Sequence, residues 1–252
     1  MSTSPPPPPS RPPGPVTMAG PRWRWNARGA WWRILVPLAA VLLGLGAAIG
    51  CVLAARALGA SQDASSAVGV AVGSAGILLV GLVVLRTVQP AQRRLMLASK
   101  GRVGPSVAIG LGIGAAIMVG SAIIIGTGAG IDGDARDRLE EAQITLAGVW
   151  WQTALIVFAL IVLAPLGEEI LFRALELRGL VRLIPFAVAA PISGLLFTAA
   201  HYDAWVAWPR TLALVATGWA LAWLYRWRGI PATITAHATV NTVAAVALII
   251  QS

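Results

Sequence analysis

Residues 164–173 read Ala164-Pro165-Leu166-Gly167-Glu168-Glu169-Ile170-Leu171-Phe172-Arg173. Two adjacent carboxylates and an arginine stand here directly behind fifteen residues, 153–167, that carry no charge at all. Placing an ionisable side chain in a bilayer costs roughly 2.5–3.5 kcal/mol on insertion scales, so such a group needs a partner or a task. Read as a helix, Glu169 and Arg173 are i, i+4 neighbours and can pair. Glu168 points about 100° away from that pair, toward Phe172, and keeps its own charge. The spare carboxylate is the candidate for chemistry.

The surrounding composition sets the solvent. Of 252 residues, 57% are hydrophobic and only 12% charged, against roughly 25% charged in an average soluble domain. Several apolar runs reach the ~20 residues that cross a hydrocarbon core. The chain reads as an all-α, polytopic membrane bundle of about seven helices, at roughly 34–55, 67–88, 106–128, 147–166, 184–201, 205–225 and 231–250. Its net charge of +9 lies on short loops between these runs, which points to anionic membrane lipids as partners and argues against nucleic acid. The single cysteine, Cys51, excludes an internal disulfide and a Cys-rich metal site.

Two regions divide the chain. Residues 1–30 open with five consecutive prolines at 5–9, plus Pro12, Pro13 and Pro15. This composition favours polyproline II and an unpacked tail. Arg22, Arg24, Arg28 and Arg33 follow, interleaved with Trp23, Trp25, Trp31 and Trp32, a mixture suited to an anionic leaflet. Residues 31–252 form the membrane domain. With the N-terminus inside, 15 of the 19 Lys and Arg fall on inner segments and four (Arg56, Arg136, Arg138, Arg210) outside. The expectation is an integral membrane protein in a prokaryotic plasma membrane, its N-terminus cytoplasmic. Trp150, Trp151, Trp205 and Trp208 would mark the outer boundary, and Trp223 and Trp227 the inner one. The pairs Gly46/Gly50 and Gly110/Gly114 have the four-residue spacing of close helix packing.

Only two histidines are present, His201 and His237, both in or at the end of apolar spans. His237 and Asn241 share a helix face at i, i+4 and could offer two donors to a developing negative charge. A poorly hydrated Glu168 is a candidate general base. Singly, each has a plain structural reading: a helix–helix hydrogen bond, or a structural ion pair. Together, on membrane helices almost free of other polar groups, they favour a functional site.

These residues resemble a known family. Glu168-Glu169-x-x-x-Arg173, then Phe197-x-x-x-His201, then His237-x-x-x-Asn241, in that order over roughly 150–245, is similar to the motif set of CPBP intramembrane proteases (CAAX proteases and bacteriocin-processing enzymes, also called Abi), which include the type II CAAX prenyl endopeptidases. The resemblance implies hydrolysis of peptide bonds in membrane-associated, prenylated or leader-type peptide or membrane-protein substrates. Carried onto this chain, Glu168 would activate water with help from His201. His237 and Asn241 would form the oxyanion hole, and Glu169, Arg173 and Phe197 would support them. No cofactor is favoured. A zinc version held by Glu168, His201 and His237 has a plausible ligand count, but the chain lacks a His-Glu-x-x-His helix. Rival readings are a non-catalytic membrane scaffold and a proton-coupled transporter.

One expectation conflicts with this constellation. On the spans above, Glu168 and His237 lie near the inner face, whereas His201 lies about 26 Å away at 1.5 Å per residue. Either the fourth helix continues past Arg173 and the fifth enters deeper, bent at Pro185 and Pro191, or the spans are misplaced.

Overall fold

The computed structural model describes residues 27–141 and 149–251. The proline tail, with Arg22, Arg24, Trp23 and Trp25, lies outside the described residues. Helices occupy all seven apolar spans: α1 (Ala27–Ala57), α2 (Gln62–Thr87), α4 (Val103–Ile131), α6 (Trp150–Leu180), α7 (Phe186–Ala199), α8 (Trp208–Arg228) and α9 (Ile230–Gln251). No strand occurs among the described residues. The all-α reading holds. Four helices, at Trp31–Ala57, Gln62–Thr87, Val103–Ile131 and Trp150–Leu180, are long and apolar enough to cross a membrane. The segments drawn between spans carry two further short helices, α3 (Pro90–Leu97) and α5 (Gly133–Glu141). Both are too polar to show in an apolar-run reading.

The central element is α6. Half of its apolar window is buried, against 11–17% for the other three long helices, and every residue from Glu169 to Leu177 is buried. Within this buried stretch Glu169, Arg173 and Glu176 recur at i, i+4 and i+7, so the helix turns one polar row inward among apolar neighbours. Its Leu171, Phe172, Leu175 and Leu177 share one core cluster with Met96, Phe197 and Tyr225 of neighbouring helices. α6 runs to Leu180, fourteen residues beyond the end expected from the apolar run alone. An apolar run closes at its first charges, yet Glu169 and Arg173 pair as ions inside the bundle and the helix continues through them.

Glycines fix the helix approaches. A Cβ on Gly110 would lie 2.6 Å from the Ala232 carbonyl oxygen, and one on Gly114 2.6 Å from that of Ala236. The pair therefore seats α4 against α9, as its spacing predicts. Gly46 and Gly50 do not act this way, since nothing lies within 4 Å of either would-be Cβ. The close α1–α2 approach is made instead by Gly44, Gly69 and Gly73. Gly167, immediately before Glu168, lets the α2 backbone at Leu78 come within 2.9 Å of where a Cβ would stand.

Candidate active site

The depth conflict resolves in favour of the longer fourth helix. Glu168 lies twelve residues before Leu180 and is thus about 18 Å from that end of α6. α7 is only 14 residues long, or about 21 Å, and His201 follows its C-terminus by two residues. The two side chains therefore meet at nearly the same height.

Glu168 Oε2 stands 3.6 Å from His201 Nε2 and 3.7 Å from His237 Nε2. Both separations exceed a direct hydrogen bond. Each imidazole is aimed by its other nitrogen. His201 Nδ1 lies 2.8 Å from the Phe197 carbonyl oxygen; a carbonyl only accepts, so Nδ1 carries the hydrogen and the neutral ring presents a bare Nε2 to Glu168. His237 Nδ1 lies 3.1 Å from Glu169 Oε1 and donates to it. With Nδ1–H committed there, His237 has an Nε2–H to offer only as imidazolium.

Glu169 has no exposed surface and pairs with the equally buried Arg173 at 3.3 Å, so the expected i, i+4 pair exists. Glu168, with 13% of its side chain exposed, stays outside that pair. Phe197 is the wall common to the site. Its ring packs edge-on to Phe172 at 5.4 Å, tilted against His201 at 4.5 Å and edge-on to His237 at 5.6 Å, while the Arg173 guanidinium lies 5.0 Å from its centroid.

Asn241 is placed differently. Its carboxamide Nδ2 donates to the Leu160 carbonyl oxygen at 2.8 Å. The cause lies in α6, which widens to a π-turn over Ala159–Leu163, with the Ala164 N–H bonded to Ala159 O. In that register the donor for Leu160 O would be residue 165, which is proline and has no N–H. Asn241 supplies the missing donor across the helix interface. One amide hydrogen is thereby spent and one remains.

Two polar residues of this network carry no signal in an apolar-run reading. Glu176 and Ser193 are fully buried. The Ser193 hydroxyl donates to Glu176 Oε2 at 2.7 Å and accepts from Arg173 Nη1 at 3.2 Å. A continuous buried chain thus runs Glu176–Ser193–Arg173–Glu169–His237. Glu176 falls i+3 from Arg173 and would have been legible had the fourth helix been continued. Ser193 sits in an apolar run with no periodic mark.

The donor chemistry of Glu168, His201 and His237 is of the kind zinc accepts. Among the described residues, however, no group of three or more His, Cys, Asp or Glu side chains is drawn together in a way that could hold a metal ion.

The model of the family described as type II CAAX prenyl endopeptidase Rce1-like matches residues 150–243, which span α6 to α9 and all the site residues above. No curated protein and no solved structure matches the chain. The match leaves α1 to α5 outside it. Over residues 150–243 the chain is therefore similar to the Rce1-like type II CAAX prenyl endopeptidases.

Proposed function

We propose that this integral membrane protease hydrolyses peptide bonds by general-base catalysis, with Glu168 as the base. The observation that carries the reading is the convergence of Glu168 Oε2 on two imidazole Nε2 atoms at 3.6 and 3.7 Å, each ring held from behind by a separate partner. A water seated between Glu168 and His201 has an acceptor for each of its hydrogens. Glu168 takes one proton as the water oxygen attacks the scissile carbonyl carbon. The resulting oxyanion faces His237 as imidazolium, paired with the Glu169 carboxylate, and the second amide hydrogen of Asn241. When the C–N bond breaks, the leaving nitrogen takes the proton from Glu168, giving a carboxylic acid and an amine. Glu169 and Arg173 hold His237 in register, and Phe197 fixes His201 through its backbone carbonyl. Every proton has a protein donor or acceptor, so the scheme uses no metal.

The substrate is a membrane-associated peptide or membrane-protein segment, prenylated or leader-type, able to reach a carboxylate about 18 Å from the Leu180 end of α6. We place the N-terminus in the cytoplasm, because 15 of 19 cationic residues then lie on that side. The test compares peptide termini in membranes and medium from cells carrying wild type or Glu168→Gln, a swap of nearly equal volume. Termini present in wild type and missing in the variant are expected. Identical termini in both would refute the assignment of Glu168.

A further inference from the structure

A second polar centre lies at the opposite end of α8 from Trp208, away from the carboxylate–histidine site. The loop after α3 is stapled to the turn between α8 and α9. Lys100 N–H donates to Arg228 O at 2.9 Å, Ser99 pairs with Gly229 as an isolated bridge, and Lys100 Nζ donates to Arg226 O at 2.6 Å. Gly229, at φ +83°, permits this staple, since a Cβ there would collide with the Ala98 carbonyl. From α6, Arg178 reaches the same place and donates to Leu95 O at 3.2 Å and to the Tyr225 hydroxyl at 3.3 Å. Arg228 Nη1 stands beside Gly101, and its Nε is buried without an acceptor.

Four cations are thus gathered: Lys100 and Arg178 are held by carbonyl and hydroxyl oxygens, and Arg226 and Arg228 are laid against aromatic rings. Burial, then Arg178 and Arg226, pushes the Lys100 ammonium down to about 8. Among the described residues no Asp or Glu lies on the loops at this end. The acidic residues outside α6, Asp63, Asp132 to Glu141 and Asp203, lie on segments at the other end, and Glu176 is committed to Ser193. Like charges held together in a partly dehydrated place are repulsive until an anion joins them. Aromatic rings frame the spot as at a headgroup boundary: Arg226 lies 4.3 Å from the Phe186 centroid and Arg228 4.2 Å from that of Trp227.

We propose that Lys100, Arg178, Arg226 and Arg228 form a binding site for the phosphate of an anionic phospholipid headgroup. The cluster sits where apolar helices end, so a lipid can present its phosphate there while its chains lie along exposed side chains such as Trp223. Pre-fixed donors cost little further entropy on binding, which distinguishes this cluster from loose surface lysines.

The test uses the full chain, delipidated in neutral detergent, and native mass spectrometry of retained lipid. Phosphatidylglycerol is expected to be retained well over tenfold more than phosphatidylcholine. Arg226→Gln should lower its retention about fivefold, and Lys100→Gln/Arg226→Gln roughly 25-fold, at about a factor of five per cation. Arg226 is exposed, so the single variant reports even if the double one folds poorly. Arg136→Gln/Arg138→Gln on α5 removes equal charge at the other end and should change nothing. Equal retention of both lipids would overturn the proposal, as would equal loss in the α5 variant. Displacement of phosphatidylglycerol by millimolar inorganic phosphate would overturn the lipid assignment in favour of a free anion.

Discussion

The two neighbouring glutamates should separate chemistry from stability. Glu169 and Arg173 have no exposed surface and stand 3.3 Å apart. Glu169→Gln leaves the Arg173 charge buried with its nearest counter-ion gone and weakens the anchor of His237 Nδ1, 3.1 Å away. Breaking a buried pair from one side costs about 3–5 kcal/mol. For a chain of this size each kcal/mol lowers the melting temperature by about 2–4 °C, so Glu169→Gln should melt roughly 6–20 °C below wild type. Glu168 is 13% exposed, and its histidine neighbours lie at 3.6 and 3.7 Å, beyond hydrogen-bonding range. Glu168→Gln should therefore melt within about 2 °C of wild type while losing proteolysis. Tryptophan fluorescence on heating in detergent reads the first quantity, and cleavage of a fluorogenic membrane peptide reads the second. Replacing both partners, as Glu169→Gln/Arg173→Met, should recover part of the loss, because the Arg173 guanidinium no longer stands buried without Glu169, while Glu176 loses the cation it reaches through Ser193. The reasoning fails if Glu168→Gln destabilises as much as Glu169→Gln, or if Glu168→Gln still cleaves.

Four further outcomes follow from the same geometry. Gly114→Val drives a side chain into the Ala236 carbonyl and Thr239 Cβ at 2.6 and 2.7 Å; thermal scans should show a loss of about 1–3 kcal/mol or more, whereas Gly46→Ala, in open space, should be neutral. Ser193→Ala takes the donor from Glu176 Oε2 and should cost about 1–3 kcal/mol in the same assay, with Ser193→Thr partly restoring it. The backbone N–H of Ala135 and the Trp208 indole hold Asp132 below its ordinary 3.8; its contribution is present above that value and is lost as pH falls through the depressed one. Trp208→Phe should therefore shift acid unfolding of the α4–α8 end to higher pH, as read by hydrogen exchange. Chelators such as EDTA or 1,10-phenanthroline should leave the cleavage rate unchanged, and a chelator-dependent loss restored by Zn²⁺ would refute the metal-free scheme.

In the proposed scheme Asn241 would hold two duties, one structural and one toward the oxyanion. Its bond to Leu160 O, eighty-one positions away in sequence, answers a vacancy created by Pro165. Asn241→Ala should lower both stability and turnover, whereas a residue serving the oxyanion alone would affect turnover only.

The sequence by itself determined the solvent, the fold class and the identities worth watching. Apolar length dictates membrane helices because the bilayer supplies no water for an unpaired backbone. The rarity of ionisable groups in those runs singled out Glu168, Glu169, Arg173, His201 and His237; i, i+4 geometry added Asn241 beside His237, paired Glu169 with Arg173 and left Glu168 outside that pair. Only the tertiary structure decided how far α6 runs, and hence that His201 and Glu168 stand at one height. A charge reads as the end of an apolar run unless its partner is known to be buried beside it, and Glu176 and Ser193 became visible only once that partner network was assembled. The same limit applied to the glycines: Gly46/Gly50 and Gly110/Gly114 share one spacing, and it is the neighbour across the interface, present for the second pair and missing for the first, that gives the spacing a use.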